Sequence, residues 1–393
     1  MRAMRPVWML AATQALCMSG SFLFFLLGGI IGSHFAPSPA LSTLPVSVMI
    51  AGLAASVVPA GALIHRFGRR AVFAGSALQA AAGCVLAGWA ITQPDFWLFC
   101  AAAFLLGANN AVVMQYRFAA TEYVAAGRAS RAISVVMCGA LVAAWLGPEF
   151  AVRTSHLVPA AEYAGSFYAC SALYVVAAVL LAQLPDSMPA SHVDPTPPRP
   201  LAEIAAQPAY RVAVLGALAS YAVMSFIMTA TPISMHVVDG HDAVATARVI
   251  QVHLLGMYVP SLASGWIIAK FGDRPIIVVG TLLMAACVAI ATLTGHAALH
   301  YGWALGVLGL GWNLLFIAAT TMLTRTYRAR ERIQAQTLND FLVFGAQATA
   351  SLLAGLAVTT LGWERLNLVT LPLLAAVLIA VGALGRRQAA APA

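Results

Sequence analysis

The sequence contains very little charge for its length. Of its 393 residues, 9% are charged and 13 are acidic, whereas about 25% of an ordinary soluble domain is charged. A soluble protein needs a charged surface that so few residues cannot supply. The composition therefore excludes a soluble enzyme, a nucleic-acid-binding domain and a disordered regulator. Hydrophobic residues make up 61% of the chain and the mean hydropathy is +0.87, so we expect the outer surface to lie in lipid.

The sequence also lacks paired cysteines and the common catalytic motifs. Its six cysteines stand singly within apolar stretches, without a C-x-x-C pair, so no secreted disulfide framework is indicated. Small core residues are the simpler interpretation of these cysteines. Neither H-E-x-x-H nor G-x-S-x-G occurs, which removes two usual signs of a hydrolase. We predict that the protein is not an enzyme and holds no permanently bound cofactor.

Long apolar runs fill most of the chain. One bilayer crossing needs about 20 mostly apolar residues, and the runs predict an all-α integral membrane protein with twelve transmembrane helices. The first run is too long for the apolar region of a signal peptide, so we expect an uncleaved first helix. The predicted spans are 7–31, 43–64, 71–92, 96–117, 132–152, 163–184, 210–236, 246–269, 275–295, 299–322, 334–360 and 364–385.

A proline-rich stretch divides these spans into two sets of six. Seven prolines lie between positions 185 and 208, and proline interrupts a continuous helix. We therefore predict an N-terminal six-helix bundle at 1–184, a cytoplasmic linker at 185–209 and a C-terminal six-helix bundle at 210–393.

The basic residues predict the orientation. With both termini in the cytoplasm, 18 of the 21 lysines and arginines fall in cytoplasmic segments, and the exceptions are Arg153, Arg248 and Arg365. This asymmetry is the positive-inside pattern of multi-pass membrane proteins. The net charge of +8 is thus explained by orientation, and we expect no nucleic-acid partner.

The two halves repeat one motif. Gly61 to Arg70 and Gly265 to Arg274 both read G-x-x-I-x-[RK]-F-G-x-R, at a cytoplasmic turn six spans apart. Two related halves with this loop resemble the major facilitator superfamily, although His65 and Ala269 stand where the family commonly has Asp. The resemblance implies two pseudo-symmetric six-helix bundles that alternate access to a midplane site. It also implies a conformational role for the loop, and plain positive-inside anchoring is the alternative. The loop residues are Gly61, Arg66, Gly68, Arg69 and Arg70.

Methionine and histidine occur in two pairs on successive spans. Met224 and Met228 are separated by four residues on the seventh span, as are His253 and Met257 on the eighth. This spacing places each pair on one helix face, and the predicted depths of the pairs match. Thioether and imidazole ligands suit Cu(I) and disfavour hard cations. Methionine is also an ordinary core filler, so packing remains the alternative to metal binding.

These pairs resemble the signature of the CcoA-like copper transporters. Gln115 to Ala120 (Q-Y-R-F-A-A) and Leu338 to Phe341 (L-N-D-F) extend the similarity. The resemblance implies copper import across the bacterial inner membrane for assembly of haem–copper oxidases, with copper as transported substrate. Met224 and His253 would be the principal ligands, and Met228 and Met257 the supporting ones. We also expect a monomer in the lipid bilayer and a cytoplasmic copper chaperone as a candidate partner.

Further soft ligands and carboxylates complete the list of candidates. Path ligands for copper could be Cys17, Met18, Met49, Met235 and His236, and core or loop filling is the alternative for each. Asp340 and Glu149 are candidate proton carriers, because a carboxylate in low dielectric can titrate near neutral pH. Structural ion pairing or helix capping is the alternative for both.

Two other functions remain open from the sequence. The first is transport of a small organic molecule such as riboflavin or a drug. It would use a polar aromatic lining that could include Trp312, Asn313, Tyr116 and Phe226. The second is a receptor that binds metal without moving it. The absence of a cytoplasmic output domain in the predicted layout speaks against a receptor.

Overall fold

A computed structural model describes residues 4–124, 129–185, 199–328 and 331–389, and within these ranges all regular structure is helical. Lipid offers no hydrogen-bond partners, so each crossing must satisfy its backbone groups internally, as a helix does. The predicted all-α membrane fold is confirmed.

The described residues divide into two compact units. The first contains six helices and also residues 235–251. These helices are α1 (Arg5–Phe35), α2 (Leu44–Thr92), α3 (Phe96–Val113), α4 (Tyr116–Glu122), α5 (Ala129–Arg153) and α6 (Ala164–Leu181), with a short 3-10 turn at Pro39–Leu41.

The second unit contains the remaining described helices. They are α7 (Leu201–Ala206), α8 (Pro208–Pro232), the later part of α9 (Ala243–Tyr258), α10 (Ser261–Phe271), α11 (Asp273–Leu293), α12 (Ala298–Thr324), α13 (Arg332–Leu368) and α14 (Leu371–Ala389). The division of the chain into bundles at 1–184 and 210–393 stays a prediction.

Ten segments of the described residues are long and apolar enough to cross a bilayer. Two of them, Pro39–Thr92 and Gln334–Arg386, have 54 and 53 residues, more than twice what one crossing needs. Each contains a glycine at positive φ, Gly68 at 79° and Gly362 at 76°, where the helix turns. Counted as two crossings each, they bring the described total to the predicted twelve.

Two predicted spans differ from the observed helices because of proline. The span predicted at 246–269 breaks at Pro260 into α9 and α10, because proline has no N–H to continue the helical ladder. The span predicted at 210–236 changes from α-helix to π-helix after Pro232. Single-turn π segments are rare and are often found at functional sites.

The predicted linker is described only in part, since residues 186–198 lie outside the described residues. Its last part forms α7, and an ion pair between Arg199 and Glu331 lies at the start of this helix. Arg199 binds Glu331 through Nε–Oε1 at 2.8 Å and Nη2–Oε2 at 2.7 Å. The hydrogen bonds from Arg199 are the main reason that the pKa of the Glu331 carboxyl lies well below its usual value. The ion pair therefore holds the start of α7 against the segment that precedes α13.

We expect Glu331→Gln to lower the melting temperature of the detergent-solubilised protein by several degrees. Because the folded carboxyl has the lower pKa, its stabilisation is complete above the unfolded value of about 4.3 and is lost as the pH falls towards the folded value. The difference from wild type should thus be constant from about pH 8 to pH 5 and shrink below that. Glu203→Gln is the control, because Glu203 is exposed and lies 3.9 Å from Arg199. An equal effect of both substitutions would contradict the assignment.

Candidate functional site

The predicted methionine and histidine ligands all lie on regular α-helix in the second unit. Met224 and Met228 belong to α8, and His253 and Met257 to α9. All four side chains are buried. The spacing of four residues therefore places each pair on one helix face, as predicted. That the two pairs share one cavity stays a prediction.

His253 is oriented by a backbone hydrogen bond. Its Nδ1 lies 2.9 Å from the carbonyl oxygen of Leu305 on α12, and a carbonyl can only accept, so Nδ1 carries the proton. Nε2 is then an acceptor, and it is buried without a hydrogen-bond partner among the described residues. Metal-binding histidines are commonly held in this way through the other ring nitrogen.

The break between α9 and α10 is held by α12. Asn313 donates from Nδ2 to the carbonyl oxygen of Met257 and to Oγ of Ser261, both at 2.6 Å. Gly309 allows the helices to approach, since a Cβ there would collide with the backbone of His253 and Met257. Asn313 therefore links α12 to both sides of the break, and the carbonyl oxygen of Met257 also lies 3.5 Å from Oγ of Ser261.

Four aromatic rings form a cluster in the second unit. Tyr221 of α8 packs edge-on against Trp312, Phe316 and Phe344, with centroid separations of 5.2, 5.0 and 5.7 Å. Trp312 and Phe316 are stacked at 5.2 Å. We call these four residues the aromatic cluster. Trp312 was a sequence candidate for an organic-substrate site. The other three were missed, although the four-residue spacing of Trp312 and Phe316 already placed them on one face.

The remaining aromatic candidates differ in burial. Tyr116 is fully buried, packs on Phe73 at 4.7 Å and has its hydroxyl 4.0 Å from Sγ of Cys17. These contacts place Tyr116 in the core of the first unit. Phe226 is half-buried on α8.

The candidate path ligands are divided between core and surface. Cys17 and Met49 are buried in the first unit, and Met18 is half-buried. Met235 is buried, and its carbonyl oxygen accepts a hydrogen bond from the N–H of His241. Nδ1 of His236 lies 2.7 Å from the carbonyl oxygen of His241, which ties the two histidines into one turn. That these side chains form a path for copper stays a prediction.

The two candidate proton carriers have polar partners. Glu149 forms an ion pair with Arg153 at 2.7 Å and lies 3.9 Å from Arg248. Asp340 accepts a hydrogen bond from the Asn339 amide at 3.0 Å. The ion pair of Glu149 favours the structural alternative for that residue. A proton-carrying role for either carboxylate stays a prediction.

The repeated loop motif has the same backbone geometry in both units. Gly68 has φ 79° and ψ 163°, and Gly272 has φ 85° and ψ 163°, a region that is open essentially to glycine alone. Gly61 has open space around it, and the side chains of Arg66 and Arg70 are exposed. The two copies of the motif therefore form turns with the same backbone conformation, one in each unit.

Each turn is also tied to a neighbouring helix by an ion pair. Arg69 forms a bidentate ion pair with Glu122 at the end of α4, through Nε–Oε2 at 2.8 Å and through Nη2–Oε1. In the second unit Asp273 lies 3.1 Å from Arg325, which follows α12. Because Asp273 occupies the motif position of Arg69, the two units use the same contact with opposite charge polarity.

Comparison with known proteins adds a family and a relative. The Major Facilitator Superfamily model matches residues 9–312. The riboflavin transporter RfnT of Brucella anthropi is 39% identical over 381 residues, which cover 96% of this chain and 95% of RfnT. YdeG of Bacillus subtilis, described as an uncharacterized MFS-type transporter, is 27% identical over 93% of this chain and 88% of its own. These comparisons give no support to copper as substrate, and they point to transport rather than catalysis.

Solved structures agree at the level of the fold. A bacterial homologue of the human lysosomal transporter Spinster superposes with a TM-score of 0.70 at 15% identity, over 96% of this chain and 94% of that one. Such low identity informs only about the fold. The family model, which covers more than half of the chain, shows that this multi-pass membrane protein belongs to the Major Facilitator Superfamily.

Proposed function

We propose that the protein is a secondary transporter that imports riboflavin, or a closely related flavin, across the bacterial inner membrane. The observation that carries this proposal is the 39% identity to a riboflavin transporter along 96% of the chain. The basic residues favour cytoplasmic termini by the positive-inside rule. Of the two substrates that the sequence left open, the relative favours the organic one.

The second unit offers surfaces that suit such a substrate. Flavins carry a flat aromatic ring system, and aromatic side chains bind flat rings by stacking and edge contacts. The aromatic cluster provides four such rings. Organic-substrate sites are typically apolar and aromatic, with a few polar groups that set orientation.

Uptake of riboflavin is the direct test. The gene is expressed in bacteria that cannot synthesise riboflavin and lack a riboflavin importer, and radiolabelled riboflavin is followed over time. We expect uptake and growth at riboflavin concentrations that do not support cells with an empty vector. Excess unlabelled riboflavin should abolish the signal. Uptake equal to the empty vector, despite protein in the membrane, would refute the proposal.

Copper import is retained as a second candidate because of one observation. Nε2 of His253 is a buried acceptor with no partner among the described residues, as an empty soft-metal site would require. Radioactive copper uptake separates the two candidates. If copper is the substrate, His253→Ala and Met224→Ala lower copper uptake, and riboflavin does not compete. If cells that express the wild-type protein accumulate no more copper than cells with the empty vector, the copper hypothesis is wrong.

A further inference from the structure

We infer that the aromatic cluster, formed by Tyr221, Trp312, Phe316 and Phe344, is the surface on which the flat heteroaromatic ring of the substrate stacks. This inference rests on the proposed function and deepens it by naming the binding residues. Four observations carry it: the depth of the cluster, its exposure, an unpaired donor within it and its contrast with a second group of rings.

The first observation is depth. With a rise of about 1.5 Å per residue, Tyr221 lies about 20 Å along α8, Trp312 about 21 Å along α12 and Phe344 about 18 Å along α13. Tyr221 and Trp312 are therefore near the middle of α8 and α12, which have 25 and 27 residues, and Phe344 is near the middle of the part of α13 that precedes the turn at Gly362. Tyrosine and tryptophan on lipid-facing surfaces prefer the two membrane interfaces. Their presence at mid-depth therefore favours a binding site, which in transporters lies near the midplane.

The second observation is partial exposure. The rings of Tyr221 and Phe316 are half-buried, whereas Trp312 and Phe344 are buried beside them. A cluster that only filled a core would enclose all of its rings. Here two rings keep a free surface, and the buried indole fixes them in place by its contacts. Tyr221 and Phe316 therefore keep ring surface that a flat substrate ring can contact.

The third observation is an unpaired hydrogen-bond donor. Trp312 is 6% exposed, and its Nε1 has no hydrogen-bond partner among the described residues. A buried indole N–H usually finds an acceptor, because leaving it unpaired costs about 1–3 kcal/mol. Flavin rings carry carbonyl oxygens and ring nitrogens that accept hydrogen bonds. A bound ring could therefore satisfy the indole while stacking on its neighbours.

The fourth observation is a second group of rings in the first unit. Phe24, Phe99 and Phe167 lie within 5.2–5.9 Å of one another. All three are fully buried, and none carries a polar atom. Full burial and the absence of polar atoms are what we expect of rings that only fill a core. The aromatic cluster differs in both respects, since it has two half-exposed rings and the polar groups of Tyr221 and Trp312.

The inference is tested by riboflavin fluorescence with purified protein. Stacking on tryptophan quenches flavin fluorescence, so a titration gives both the dissociation constant and the quenching at saturation. For wild type we expect saturable binding with strong quenching. Phe316→Leu removes a stacking surface and should raise the dissociation constant about tenfold. Trp312→Phe keeps a ring but removes the indole, and it should also reduce the quenching.

The matched control is Trp303→Phe. Trp303 is on the same helix, nine residues before Trp312, and is 63% exposed, so this variant should bind and quench like wild type. Size-exclusion chromatography checks that each variant is folded, and the half-exposed Phe316 provides a test if Trp312→Phe unfolds. If wild type and Phe316→Leu bind with equal affinity and quenching, the inference is wrong while the proposed function stands. If wild type binds no riboflavin, both fail.

Discussion

Replacing Gly309 by alanine is expected to remove most of the transport activity. An added Cβ at this position would lie in contact with the carbonyl oxygen of His253 and 2.9 Å from the backbone nitrogen of Met257. Backbone atoms cannot turn aside as a side chain can, so α9 must shift away from α12. Overpacking of this kind costs about 1–3 kcal/mol, and it would strain the hydrogen bonds from His253 to Leu305 and from Asn313 to Met257.

The measurement is riboflavin uptake together with the melting temperature of the solubilised protein. Gly302→Ala is the matched control, because Gly302 lies on α12 seven residues earlier and a Cβ there meets no atom within 4 Å. In a helix, alanine in place of glycine is favourable by about 1 kcal/mol, so this variant should be at least as stable as wild type. Equal uptake by the two variants would show that the close approach of α9 and α12 has no role.

Reversing the charge of Arg69 is expected to lower both the yield of folded protein and the uptake of riboflavin strongly. Its side chain is 7% exposed and that of Glu122 is 23% exposed, so Arg69→Glu places two carboxylates together where little water reaches them. Hydrogen bonds to charged groups contribute about 1.5–3 kcal/mol. We expect little folded protein and little uptake, because the turn at Gly68 loses its attachment to α4.

The double variant Arg69→Glu with Glu122→Arg should recover folded protein and uptake. The second unit shows that the fold accepts this polarity, since Asp273 takes the place of Arg69 and pairs with Arg325. Arg211→Glu is the control for charge alone, as Arg211 is exposed and donates to the carbonyl oxygen of Ala205. A double variant no better than Arg69→Glu would mean that the ion pair is not what holds the turn. Folded protein is measured by size-exclusion chromatography.

Several features could be predicted from local pattern. The apolar runs predicted twelve crossings, because burial of a helix in lipid depends on composition and length. The repeated motif predicted two equivalent turns, and Gly68 and Gly272 share their backbone geometry because few other residues can adopt it. The spacing of Met224 and Met228 predicted one helix face correctly. Pro260 carried a signal for the break in the eighth span, which the prediction of a continuous span at 246–269 did not use.

Other features depend on residues that are distant in the chain. No local sequence pattern predicts the contact of Arg69 with Glu122 or of Tyr221 with Phe344, because these contacts form only when separate helices pack. The same holds for His253, whose free ring nitrogen follows from a hydrogen bond to Leu305. Soft ligands in the sequence suggested copper, yet whether methionines form a site or fill a core is a matter of packing.

The sequence by itself determined the membrane class, the number of crossings and the repeat, because each depends on composition or on short-range backbone rules. Only the tertiary structure decided which polar and aromatic side chains meet. Packing enclosed Tyr116 in the core of the first unit and left Tyr221 and Phe316 partly open in the second. Aromatic side chains can fill a core or form a binding surface. Which of the two they do depends on how much of each ring the neighbouring helices cover.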